Sequence, residues 1–450
     1  MRDLLMNAAE RSARYVAGVR DRAVAPRPED LARLDALRGP MPEQPSDPAT
    51  VLALLDDFGS PATVASSGGR YFGFVIGGSL PAALATSWLA NAWDQNAALS
   101  VMSPVAAAIE DVALGWLREI LGLPPSCGVG YVTGATMANF TCLAAARHAL
   151  LGRAGWNVEE NGLFGAPPIT VVVGEEVHVT LLKALSLLGL GGSRVVRVPA
   201  DSQGRIEAHA LPPLNGRTIV CIQAGNVNTG ACDAAVDVCS RARGTGAWVH
   251  VDGAFGLWAA AAPRRAHLVE GVNCADSWAT DCHKWLNVPY DSGLAFVRQP
   301  TELRAAMAVS AAYLQTTTGR EPWHYTPESS RRARAIEVWA ALRSLGKRGL
   351  AEMIERSCQL ASRFAEALRD GGYSILNDVV LNQVLVSFGS AEETKRVIRE
   401  IQNEGTCWCG GTEWHGQTAM RISVSSWSTT EQDVDRSAAA ILRIAKKIRT

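Results

Sequence analysis

The sequence predicts an α/β protein: a mainly parallel sheet with helices on both faces, followed by a smaller C-terminal α+β domain. Two observations predict it. From about residue 125 to 300, short β-branched runs alternate with helical stretches, the pattern of strands joined by crossover helices. After residue 300 the alternation stops, and long amphipathic helices separate isolated strands. The boundaries read this way are an N-terminal helical arm over 1–65, a large domain over 66–300 and a small domain over 301–450.

Each element has its own signal. The first sixty or so residues mix charge and proline, and an Arg/Asp/Leu-rich stretch from Leu31 to Leu37 suits short amphipathic helices. Pro81 to Trp93 reads as a helix. A second helix is marked by Ser103 as cap and Pro104 in its first turn, with Val105, Ile109, Val112, Trp116 and Ile120 on one face and a stop at Gly122 and Pro124. Ile169 to Val173, Arg194 to Val198, Thr218 to Ile222 and Ala247 to Val251 are the expected strands. Beyond residue 300 come helices from Arg331 to Leu345 and Leu350 to Leu368, a strand near Val384 to Phe388, a helix ending near Gly405, a strand from Arg421 to Val424 and a closing helix with a capping box from Thr429 to Gln432.

Composition excludes several functions. Lys and Arg total 43 against 44 Asp and Glu, so no basic field draws the chain to nucleic acid or to an anionic membrane. No apolar run approaches the ~20 residues of a membrane span, and the start has no basic stretch leading into an apolar core. With 10 irregularly spaced cysteines, the chain reads as a cytoplasmic protein with reduced thiols. Cys407, Cys409 and His415 match no common zinc spacing, so no metal is expected.

The chemistry gathers at a few positions. Lys284 lies in an apolar setting of Trp285, Leu286, Val288 and Pro289, unlike a solvated surface lysine. Asp252 ends the buried run Ala247 to Val251, where a lone carboxylate requires a cationic partner; a helix cap or a salt bridge to an arginine is the competing reading. An amine to hold an aldehyde and a carboxylate to keep a pyridine nitrogen protonated are the two anchors of pyridoxal 5'-phosphate. Thr133 to Asn139 stands where an apolar run meets a helix, so that small residues, backbone amides and a hydroxyl can approach a phosphate; a plain turn before a helix is the competing reading. His178 follows a strand, where a flat ring can stack on another; a plain surface or core histidine is the competing reading.

In that order the chain resembles the group II pyridoxal-phosphate decarboxylases, which include the aromatic amino acid, histidine and glutamate decarboxylases. They belong to the aspartate aminotransferase fold type, fold type I. The match runs through Ser103-Pro104, Gly134 to Asn139, His178, Asn228-Thr229-Gly230 with Asp233, His250 to Ala254, His283-Lys284-Trp285, Ser330-Arg331-Arg332 and Arg421 to Val424, roughly residues 65 to 450. The resemblance implies that Ala135 and Thr136 hold the phosphate, with His283 serving the phosphate or the substrate. It implies that His178 stacks on the ring, Asn228 lies near its phenolic oxygen, Asp252 pairs with its nitrogen and Lys284 forms the internal aldimine. The implied reaction is decarboxylation of an L-amino acid to the amine and carbon dioxide through a quinonoid, in a homodimer whose site lies between subunits. Transamination, retro-aldol cleavage and a non-catalytic binding role are the alternatives.

Two departures stand out. Asp281 takes a position that is Asn or Ser in several relatives and touches phosphate there, and an aspartate repels phosphate unless turned away or bridged. The segment Gln315 to Ser330 is shorter than the mobile loop of the aromatic amino acid decarboxylases, whose tyrosine returns a proton to the substrate carbon. Tyr325 is the candidate acid, with Tyr313 just before the segment; a surface tyrosine is the competing reading. Arg421 is read either as the grip on the substrate carboxylate or as a structural ion pair. Arg331, Arg332 and Arg334 are expected on a solvated or interdomain helix face. Phe72, Phe74 and Trp93 suit an aromatic pocket or the core, and the substrate leans to an aromatic or other bulky amino acid.

Overall fold

The computed structural model describes residues 1–308 and 319–449. Packing groups them into two compact units, one of Ser79–Gln359 with Asn377–Gln383, the other of Met1–Gly78, Leu360–Leu376 and Val384–Thr450. The packing keeps residues 301–308 and 319–359 with the large unit.

Among the described residues the large unit is built on seven strands: β1 (Gly128–Val132), β2 (Thr170–Gly174), β3 (Val196–Val198), β4 (Thr218–Gln223), β5 (Trp248–Asp252), β6 (Ser277–Asp281) and β7 (Gly293–Val297). Their order is β1-β7-β6-β5-β4-β2-β3. From β3 to β6 every pairing is parallel, whereas β7 runs antiparallel to both β6 and β1. The expected alternation holds, with β1, β6 and β7 added to the four strands read from sequence. β1 was hidden by its glycines, which weaken a strand signal. They are needed there: a Cβ on Gly130 would fall on the Tyr325 carbonyl oxygen.

Pro81–Trp93 and Pro104–Ile120 form the expected helices, and the Ser103 hydroxyl accepts from the Ala106 amide as cap. The buried face of the second helix is a correction. It comprises Ala106, Glu110, Ala113, Leu114 and Leu117, while Val105 and Val112 of the expected face are exposed. Glu110 explains the reversal, because its buried carboxylate binds Arg320 at 2.9 Å and also takes Arg331. These arginines donate to the carbonyls of Val129 and Tyr131 on β1, the edge strand of the sheet. Edge carbonyls left bare would invite pairing with another chain. The arginines expected on a solvated or interdomain helix face precede the Ala335–Asp370 helix: Arg331 is fully buried, Arg334 is nearly so and pairs with Asp291 at 2.9 Å, and Arg332 stays partly exposed.

The smaller unit holds β8 (Ser374–Ile375), β9 (Gln383–Ser387), β10 (Gly410–Trp414) and β11 (Gln417–Ser423) in the order β10-β11-β9-β8. Its closing helix is Glu431–Arg449, and the capping box lies one residue later than expected: Thr430 and Asp433 exchange side-chain and backbone hydrogen bonds, while the Thr429 hydroxyl donates to the Gly69 carbonyl. The arm helices Arg2–Gly18 and Pro48–Ala62 are tied by Arg11 and Asp56 at 2.7 Å, and neither buries a residue. Phe72 is core, edge-on to Phe364, whereas Phe74 and Trp93 are exposed.

Candidate active site

Parallel strands deliver the residues that follow them to one end of a sheet. β1 runs parallel to β6 through the antiparallel β7, so the carboxyl ends of β1, β2, β4, β5 and β6 all face the same way. Gly134 and Ala135 follow β1, His178 follows β2, Asn228 follows β4, Asp252 ends β5, and Lys284 comes three residues after β6. The crossing of β1 and β7 is close enough that a Cβ on Gly293 would lie 2.5 Å from the Gly134 Cα, so glycine is required at the contact.

Asp252 is 5% exposed. Its Oδ1 accepts from the Ala254 amide at 3.2 Å and its Oδ2 from Asn139 Nδ2 at 3.1 Å. Among the described residues no lysine or arginine forms an ion pair with it. Behind Asn139 the bonds continue: Asn139 Oδ1 meets His250 Nε2 at 2.9 Å, His250 Nδ1 meets Ser277 Oγ at 2.8 Å, and Ser277 Oγ accepts from Trp248 Nε1 at 2.8 Å. The indole can only donate and the carboxylate can only accept, so one assignment satisfies every member. Ser277 donates to His250, His250 donates from Nε2 to Asn139, and Asn139 donates to Asp252. Burial pushes the His250 imidazole down to about 3, which keeps it neutral as this arrangement requires.

That shift sets a pH dependence. In the unfolded chain His250 takes a proton near its ordinary value of 6.5, while in the fold it stays neutral down to about 3. The unfolded state therefore binds more protons in this window, and stability falls as pH drops through it, by about 1.4 kcal/mol per pH unit for one full proton. We expect urea midpoints measured between pH 7.5 and 4.5 to fall less steeply for His250→Gln than for the parent chain. Equal slopes would show that His250 is already charged.

Lys284 stands on a tight loop. Asn287, at φ +55°, donates its amide to the Lys284 carbonyl and its side chain to that of Trp285, and Trp285 is fully buried. Lys284 Nζ lies 2.9 Å from Asp281 Oδ2. The other oxygen of Asp281 accepts from the Ala135 amide at 2.5 Å and lies 3.4 Å from His283 Nε2. His283 Nδ1 accepts from the Ser292 amide at 3.2 Å, its ring stacks on Tyr290, and burial lowers its proton affinity.

His178 caps the Val179–Leu187 helix, its Nδ1 accepting from the Thr180 amide. The loop bearing Asn228 is pinned by Asp233, whose oxygens accept from the amides of Gln223 and Ile206 at 2.6 and 2.7 Å; burial raises this carboxyl to about 6. Tyr325 is not brought to this group. Its ring lies near Gly128, at the amino end of β1, beneath the Arg320 guanidinium. Tyr313 and the stretch from Gln315 to Thr318 lie outside the described residues. Arg421 belongs to the smaller unit, on β11 opposite Gly410, where burial lowers its proton affinity.

Comparison with known proteins decides the family. The pyridoxal-dependent decarboxylase conserved domain matches residues 45–389. The chain belongs to the pyridoxal-dependent decarboxylase family. An aromatic-L-amino-acid decarboxylase of Bacillus atrophaeus is 25% identical over 416 residues, 87% of this chain and 84% of the relative. An L-2,4-diaminobutyrate decarboxylase of Rhizobium meliloti is 26% identical over 387 residues, 81% and 74% of the two chains. The fold matches the crystal structure of Oryza sativa TDC with PLP and tryptamine at a TM-score of 0.91 and 22% identity, over 100% of this chain and 98% of that one. The enzyme is thus a member of a pyridoxal-phosphate-dependent carboxy-lyase family with the expected fold.

The residues fit the cofactor of this family. Asp252 is a buried carboxylate without a cationic side chain, suited to a protonated pyridine, and Lys284 supplies the amine. Asn139, Ser277 and Trp248 escaped the sequence reading as parts of the Asp252 network. Only the proximity of Trp248 and His250 to Asp252 in sequence hinted at it.

Proposed function

We propose that this decarboxylase acts on an aromatic or otherwise bulky L-amino acid, as a homodimer in the cytoplasm. The convergence of Ala135, Asp252 and Lys284 at the carboxyl end of one sheet carries the reading. Pyridoxal phosphate, when bound, supplies an electron-poor ring that takes up the electron pair left as carbon dioxide departs. Lys284 would hold the cofactor through Nζ, and Ala135, Thr136 and His283 would hold its phosphate. His178 would stack on the ring and Asn228 would approach its phenolic oxygen. Asp252 would keep the proton on the ring nitrogen, with the Asn139 bond fixing which oxygen turns toward it. Arg421 is assigned to the substrate carboxylate.

The homodimer is supported by surfaces left apolar in one chain. Trp88, Leu89, Trp93, Val105 and Val112 are exposed on the Pro81–Trp93 and Pro104–Ile120 helices, and the arm helices bury nothing of their own. Ten free cysteines, eight of them buried and none in a disulfide, suit a reducing compartment.

The test is to add pyridoxal phosphate to the purified protein and then a panel of L-amino acids, following visible absorbance, carbon dioxide and products. We expect carbon dioxide and an amine from an aromatic member of the panel. Lys284→Ala should abolish the cofactor's visible band and lower turnover at least about a thousandfold. A keto acid or an aldehyde in place of the amine would replace the assigned reaction with transamination or aldol cleavage. Absence of any band would sink the assigned cofactor site.

A further inference from the structure

Three groups assigned to the cofactor converge on one side chain of the chain itself. The Ala135 amide and the His283 ring, assigned to the phosphate, face Asp281 Oδ1 at 2.5 and 3.4 Å, and Lys284 Nζ faces Oδ2 at 2.9 Å. Asp281 is 2% exposed, so water does not screen it. It ends β6 on a fixed backbone: its amide donates to the Ala254 carbonyl and its carbonyl accepts from Trp258 Nε1 at 2.9 Å. The helix that starts at Ala135 runs for 19 residues and has no side-chain cap from its own N-cap residue, Gly134. A helix start of this kind concentrates partial positive charge and free amides, the setting that binds phosphate. Here a carboxylate from another strand supplies the anion. Gly134 makes room for it, since a Cβ there would lie 3.2 Å from Asp281 Oδ1 and 3.0 Å from His283 Cε1.

We propose that Asp281 is an internal anion that occupies the phosphate seat of the cofactor-free enzyme, so that pyridoxal phosphate enters by displacing it. This rests on the assignment of Ala135, His283 and Lys284 to the cofactor. A phosphate dianion and a carboxylate cannot both accept from the Ala135 amide, and two anions held together in a water-poor site repel each other strongly. The same carboxylate holds Lys284 Nζ, so its displacement also frees the amine that must meet the cofactor aldehyde. Phosphate arrival and lysine release are thereby coupled through one side chain.

The experiment compares cofactor-free parent protein with Asp281→Asn, which keeps the shape and one oxygen for the Ala135 amide but removes the charge. Dissociation constants for pyridoxal phosphate and for pyridoxal, which lacks the phosphate, are read from visible absorbance. Thermal midpoints are taken with and without inorganic phosphate. We expect Asp281→Asn to bind pyridoxal phosphate at least about tenfold more tightly, with a clearly smaller gain for pyridoxal. We also expect inorganic phosphate to raise the midpoint of the variant more than that of the parent. A purely structural cap would show neither split. Equal or weaker binding of pyridoxal phosphate by the variant, with the parent's band intact, would overturn the proposal and leave the cofactor site standing. Absence of binding by both proteins would overturn both. Should Asp281→Asn fail to fold, Asp281→Ser carries the same comparison.

Discussion

Replacing Asp252 by asparagine is expected to slow carbon dioxide release at least about a hundredfold and to weaken pyridoxal phosphate binding. Two effects add. The charge proposed to face the ring nitrogen is lost, and removing one partner of a buried ion pair costs about 3–5 kcal/mol, of which each 1.4 kcal/mol is tenfold in rate. The hydrogen bonds also conflict, because both Asp252 oxygens now accept, from Ala254 and from Asn139. An amide has one oxygen, so its nitrogen must face one of those donors or Asn139 must turn over. Turning Asn139 sets its NH2 against the Nε2–H of His250, and the conflict passes down the network. Steady-state kinetics with cofactor titration checks this. A rate within about threefold of the parent would remove Asp252 from the assigned role.

The second large effect concerns stability. Glu110→Ala should lower the urea midpoint of the large unit by far more than an exposed charge change does, or leave no soluble protein. Arg331 is fully buried against Glu110, and Arg320 is 15% exposed in its side chain. Deleting the carboxylate strands a buried guanidinium, at a cost of about 3–5 kcal/mol. The paired change Glu110→Met with Arg331→Met should recover the part of the loss due to Arg331, since an apolar pair of similar volume carries no desolvation penalty, while Arg320 keeps Asp111 at 3.7 Å. A single variant as stable as the parent would mean that water reaches Arg331.

Much of this molecule is legible in its sequence, and the gaps have physical causes. The parallel sheet could be read because buried parallel strands leave β-branched runs between helices, as at Thr218 to Ile222. Asp252 and Lys284 could be read because a charge at the end of an apolar run is costly and therefore conspicuous. The face of the Pro104–Ile120 helix was misread because the larger apolar residues lie outside and small ones pack inward around Glu110. Periodicity cannot reveal that a glutamate will be neutralised by arginines more than two hundred residues away. For the same reason the burial of Arg331 and Arg334 is not legible in a cluster that reads as a solvated or interdomain face. Asn139, His250 and Ser277 sit on a helix and two strands, and only the folded sheet joins them. Tyr325 was chosen from a loop, where spacing carries no direction, and its ring lies near the other end of β1.

The arginine-covered edge of β1 also bears on biosynthesis. Among the described residues its single strand partner is β7, and Arg331 lies 200 residues beyond the Tyr131 carbonyl that it covers. At about 5–20 residues per second, a ribosome needs on the order of 10–40 s to travel that distance. Until β7 is made, Gly128 to Val132 has neither neighbour, and from then until Arg320 and Arg331 emerge it has β7 alone, so its outer edge stays open to other chains throughout.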